Sequence, residues 1–192
     1  AGIADDFAGA NDSGSSTGLL LALAPVLRAR ARRHDVLLAF VDGEESVRRY
    51  GPHDGLHGSR RLVERLAGAG EVTRVTAAIV VDMIGDRDLT VTIPRNGTRD
   101  LIKRAFAAAE ACGVRDRFAL FGGDILDDHV PFLEAGLPAV NLIDFEYGSR
   151  PGRNNYWHTT ADTLDKLSAD SLQAVGCVVL RMVQTMGEQT RE

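Results

Sequence analysis

Carboxylates crowd one short stretch of this 192-residue chain. Asp42-Gly43-Glu44-Glu45 directly follows the apolar run Val36–Val41. Ending a buried strand on three carboxylates sets up a repulsion that a bound cation relieves, because a metal reverses the local pKa logic. The competing reading is a solvated acidic loop. Partners of matching chemistry stand elsewhere: Asp12 heads the first helix, Asp82 follows an Ile-Val-Val run, Asp127-Asp128-His129 precede a short helix, and Trp157-His158 end a long loop. Carboxylates plus imidazole suit zinc, and a catalytic zinc takes three protein ligands with a fourth position open. Asp12, Glu45 and His158 form such a set. Structural alternatives stand beside each: an N-cap for Asp12, a satisfied buried acid for Asp82, a helix cap for Asp127 and Asp128, simple core for Trp157. Asp162 and Asp165 read as residues that cap or precede the last helix. The chain has no nucleophile elbow, P-loop or dinucleotide fingerprint.

Positioning these groups requires strand ends, and the hydropathy pattern supplies them. An amphipathic helix capped near Asp12 ends in RARARR, whose arginines suit a helix C-terminus. The apolar run Val36–Val41 predicts a strand buried on both faces. Residues 58–67 predict a second helix, and 76–84 another buried strand carrying Asp82. Leu89–Ile93 alternates and reads as an edge strand. Residues 98–112 predict a helix stopped by Gly113, residues 118–121 a short strand, residues 129–135 a short helix ended by Gly136, and residues 137–143 a further strand. A long loop, 144–160, precedes a closing helix over 172–186. Alternating strands and helices predict an α/β fold: a three-layer sandwich with a central mixed, mostly parallel sheet flanked by helices. In such sheets the functional crevice lies beyond the carboxyl ends of the strands.

A hydrophobic fraction of 44% and a charged fraction of 26% are those of an ordinary globular chain. The net charge of −5 argues against a nucleic-acid partner, and no apolar run is long enough to cross a bilayer. Cys112 and Cys177 lie in apolar helical segments and read as core residues rather than a redox pair or metal ligands. Without linker, repeat or low-complexity tract, residues 1–192 read as a single domain.

Taken together, GANDSGSSTGLLLALA, FVDGEES, HDGLHGSR, VVDMIGD, DDHVPFLEAGLPAVNLIDF and YWHTTADTLDKLS resemble, in order and spacing, the zinc-dependent exopeptidases that include bacterial aminopeptidases and glutaminyl cyclases. DGEE, Tyr50, the GSR ending at Arg60 and Trp157 before His158 look most like the cyclase branch. The resemblance implies Asp12, Glu45 and His158 as ligands of one zinc ion, and Glu44 as general acid/base. It implies Asp82 and Asp127 as acids that share hydrogen bonds in the cyclases. Tyr50 and Trp157 would wall the substrate pocket. Three departures stand out. The family's His-x-Asp motif upstream of Asp12 is absent along with the first strands, which makes a second zinc doubtful and the chain N-terminally truncated relative to the family. Tyr50 stands where cyclases commonly carry Trp, and Leu126 where some carry a polar residue. Residues 149–155 also alter the pocket rim.

The implied substrate is a peptide with a free N-terminus, and the implied reaction is conversion of N-terminal Gln to pyroglutamate with loss of ammonia. The alternatives are a zinc aminopeptidase built from the same parts, and an inactive binding scaffold of the same fold. A secreted or periplasmic location is implied by the resemblance alone. Oligomeric state is not legible.

Overall fold

The computed structural model describes residues 7–29, 34–51 and 53–186. Four strands and five helices alternate along it: α1 (Gly14–Ala29), α2 (His57–Gly68), β1 (Ala78–Asp82), β2 (Val91–Ile93), α3 (Arg99–Ala111), β3 (Phe118–Leu120), α4 (Val130–Glu134), β4 (Ala139–Ile143) and α5 (Ala169–Thr185). β1 pairs parallel with β4, Ala78 opposite Ala139 and Asp82 opposite Ile143. β2 pairs parallel with β3. The two pairs are joined by a side chain: the Thr92 hydroxyl donates to the Ile143 carbonyl at 3.1 Å and accepts from the Phe145 amide at 3.1 Å.

Side-chain alternation along the strands separates the two helical layers. Ile79 and Val81 of β1, with Val140 and Leu142 of β4, pack into a core with Leu19, Leu23 and Leu27 of α1 and apolar residues of α3 and α5. Ala78 and Ala139 face the other way, onto Val63 of α2 and Phe132 of α4. The same alternation puts Asp82 and Asn141 on the α2/α4 side. This is the three-layer α/β arrangement that the sequence pattern predicts.

Three expectations need correction. Residues 36–41 form no strand among the described residues: Val36 and Leu38 pack on the core, but Leu37 and Phe40 are 70% and 54% exposed. No described strand lies beside this segment to complete a ladder, so only its inward face is covered. Val91–Ile93 pairs with β3 alone, as an edge strand does, but is fully buried rather than half-exposed, because β4 packs beside it and the Thr92 hydroxyl is satisfied on the backbone. Cys112 and Cys177 are not separate core residues. They form a disulfide that ties the end of α3 to α5 across 65 positions. Arg28 lies in the last turn of α1, while Arg30, Arg32 and Arg33 lie outside the described residues.

Candidate active site

The loop before α1 is stitched to the end of β1. Asn11, fully buried, accepts the Gly85 N–H at 2.7 Å and donates to the Met83 carbonyl at 3.2 Å. Ser15 donates to the Asn11 carbonyl and accepts from Ile84. Asp162 completes the anchor: its Oδ1 accepts the Asn11 N–H at 2.8 Å and the Tyr147 hydroxyl at 2.7 Å, and its Oδ2 accepts the Asp12 N–H at 3.0 Å. Asp162 therefore does not cap the last helix, a task left to Ser168, which accepts from Asp170. It holds the backbone of Asp12, leaving that carboxylate to turn to His158, 3.4 Å from its Nε2.

Residues 42–45 are placed by the start of α2. The amides of Leu56, His57 and Gly58 donate to the carbonyls of Glu44, Gly43 and Asp42. A Cβ at Gly58 would meet Asp42 backbone at 2.5 Å, so glycine alone allows this approach. The Asp54 carboxylate then gathers the amides of Val47, Arg48 and Arg49, curling the loop so that Tyr50 returns over Glu44. The Tyr50 hydroxyl lies 3.0 Å from Glu44 and 3.3 Å from Glu45.

These loops bring together donor atoms of Asp12, Glu45 and His158, all within 4.8 Å of one another. His158 Nε2 contacts a Glu45 carboxylate oxygen. His158 has a left-handed backbone, φ 57°, a conformation that a non-glycine residue adopts only when its surroundings impose it. The Trp157 ring covers its imidazole at 3.9 Å between centroids. Behind Trp157, Phe145 lies at 5.2 Å and Phe121 at 5.7 Å from Phe145, and Ile125, Met83 and Ile143 fill the layer beneath.

The electrostatics are those of crowded acids. Glu44 is pushed up to about 8, first by desolvation and then by Asp127 and Glu45. Asp12 is raised to about 6 by desolvation and Glu45. Burial, then Asp127, Asp12 and Glu44, hold the Asp82 carboxyl well above the usual range. Asp127 is raised to about 6, chiefly by burial. It takes hydrogen bonds from Asn141 Nδ2 and the Asp128 amide. Asn11 and Asn141 carry no role in the sequence pattern, and Asp162 reads there as a residue near a helix rather than as the anchor of Asp12. A polar residue inside an apolar strand, as in AVNLI, was the one signal that could have found Asn141.

The profile of peptidase family M28 matches residues 2–183, and the chain belongs to that family. In structure it is similar to a glutaminyl cyclase from an Acidobacteriales bacterium, with 36% identity and a TM-score of 0.87 over 94% of this chain and 62% of that one. It is also similar to a zinc aminopeptidase from Bacillus subtilis, with 27% identity and a TM-score of 0.77 over 98% of this chain and 45% of that one. In sequence it is 26% identical to a glutaminyl-peptide cyclotransferase of Drosophila melanogaster over 88% of this chain and 54% of that protein. The chain spans about half the length of the curated relatives it matches.

Proposed function

We propose that this chain carries the catalytic centre of a zinc-dependent glutaminyl-peptide cyclotransferase, which turns the N-terminal Gln of a peptide into pyroglutamate and ammonia. The observation that carries the reading is the convergence of Asp12, Glu45 and His158 within 4.8 Å, with Glu44 adjacent and Trp157 stacked on His158. Two carboxylates and one imidazole fit a single zinc ion, and the mutual repulsion that raises Asp12 is what a dication relieves. Zinc held by these three residues would supply a Lewis acid for the γ-carbonyl.

The chain's own residues do the rest. The two reacting groups belong to one residue, so holding Gln folded over makes attack effectively intramolecular. Tyr50 and Trp157 wall the pocket that imposes this fold. Glu44 takes a proton from the α-amine as its nitrogen bonds to the side-chain carbonyl carbon, and gives it to the amide nitrogen whose bond to that carbon breaks, which leaves as ammonia. Desolvation, and after it the charge of Asp127, keeps the proton affinity of Glu44 high enough for that exchange.

A second reading, a zinc aminopeptidase, draws on the likeness to the Bacillus subtilis enzyme and uses the same residues, with water as the group that Glu44 deprotonates. Mass spectrometry of Gln- and Leu-initiated peptides after incubation with zinc-loaded protein separates them: loss of ammonia supports the cyclase, and a released amino acid supports the peptidase. The Cys112–Cys177 disulfide supports an oxidising compartment for the protein.

A further inference from the structure

Two surface loops lead into the site, and each carries a pair of arginines. The loop from Ser46 to Leu56 holds Arg48 and Arg49, and the loop from Phe145 to Tyr156 holds Arg150 and Arg153. All four are exposed, and none enters an ion pair among the described residues. Arg61 and Arg74, by contrast, each face an acid three residues away. The acids within the two loops are turned onto backbone amides instead. Asp54 accepts those of Val47, Arg48 and Arg49, and Glu146 accepts that of Gly152.

Both loops are closed next to the site. Tyr50, the neighbour of Arg49, returns to Glu44 and Glu45. The second loop is pinched where the Tyr156 amide donates to the Tyr147 carbonyl at 3.3 Å, and Trp157 and His158 follow at once. A fully extended chain spans about 3.6 Å per residue, so the Cα of Arg48 lies within about 11 Å of that of Glu45, and the Cα of Arg153 within about 18 Å of that of His158. Glu45 and His158 touch, so the two arginine pairs flank one mouth. A peptide whose first residue sits at this group passes its next three residues through the same span. Unneutralised cations there, in a chain of net charge −5, create a local field that favours anions.

We propose that the two loops form a cationic rim that selects peptides with Glu or Asp at the second to fourth positions. The fate of the first residue rests on the cyclase reading, while the rim reads only the residues that follow it.

The test compares Gln-Glu-Glu-Ala-Ala with Gln-Ala-Ala-Ala-Ala on zinc-loaded protein. At low salt the acidic peptide has a kcat/KM roughly 5- to 20-fold higher, the sum of several exposed charge pairs. The difference sits in KM, as for contacts shared by ground and transition states, and it fades toward unity at roughly 0.5 M salt. Arg48→Ser/Arg49→Ser and Arg150→Ser/Arg153→Ser keep the amides that close the loops, and each lowers the ratio about two- to fivefold. The fourfold variant brings it to about one. Equal kcat/KM for the two peptides, a ratio indifferent to salt, or a pair variant with the wild-type ratio overturns the proposal. Absence of ammonia release from both peptides sinks the cyclase reading instead. The rim is then decided by fluorescence anisotropy of the same peptides labelled at the C-terminus. Tighter binding of the acidic peptide, lost in the fourfold variant, supports it, and equal binding refutes it.

Discussion

Glu44 is hemmed in by Asp127, Glu45 and the Tyr50 hydroxyl, and its role is open to a direct test. Glu44→Gln keeps the shape and removes the proton acceptor. Turnover should fall by at least about 10²-fold with zinc content unchanged, and an active variant would remove Glu44 from the mechanism. Tyr50→Phe keeps the wall but deletes a hydroxyl that reaches both Glu44 and Glu45. A several-fold loss of kcat at unchanged zinc content is expected, and full activity would leave Tyr50 as a wall only. His129, outside the candidate metal-ligand set, offers a separate test. It is fully buried, neither ring nitrogen has a partner, and burial lowers it from 6.5 to about 4. The folded value lies below the unfolded one, so the unfolded chain binds the extra proton between those limits. Stability from a neutral His129 is therefore complete above pH 6.5 and is lost as pH falls toward 4, by on the order of 3 kcal/mol. His129→Leu should be at least as stable as wild type at pH 7, and its advantage should widen through that window in urea titrations. A pH-independent difference would refute the assignment. Taking the difference between the two proteins also cancels the opposite slope of Asp144, which burial raises to about 7.

At the level of elements, the site depends on how loops are tied to strands and helices. Asp162 holds the Asn11–Asp12 turn through two side-chain hydrogen bonds, and the Tyr147 hydroxyl donates to the same carboxylate. Asp162→Ala should cost zinc affinity roughly 10- to 100-fold, read by competition with a chelating dye. Unchanged affinity would show that Asn11 suffices as the anchor. The α3–α5 pair is closed by the Cys112–Cys177 bridge. Removing a cross-link across 65 positions releases about 4 kcal/mol of loop entropy to the unfolded chain. Reduction of the folded protein should therefore lower the melting temperature. The sequence pointed to α1, α2, α3, α4, α5, β1, β3 and β4 within a few residues, because periodicity and glycine stops are local signals. It failed at residues 36–41, where an apolar run alone cannot say whether a neighbouring strand lies alongside. It placed β2 but not its full burial, which comes from packing of neighbouring elements rather than from its own alternation.

For the whole molecule, the proposed zinc site predicts that stability depends on a bound cation. A ligand held only by the folded state stabilises it, by about 4 kcal/mol at a thousandfold excess over its dissociation constant. Chelation should lower the melting temperature by roughly 10 °C and zinc should restore it. A melting temperature indifferent to both would separate the acidic cluster from any metal role.

The types and order of the chemical groups were set by the chain itself. An acid at Asp12, paired acids at Glu44 and Glu45, and an imidazole at Asp-rich loop's distant partner His158 were each visible because charge and hydropathy are properties of single residues. Only the tertiary structure decided which groups meet and what holds them. Asn141 selects Asp127, Asp162 carries Asp12 rather than capping a helix, and Cys112 finds Cys177. Such pairings join residues 14 to 150 positions apart, and packing geometry, not local pattern, chooses between the partners.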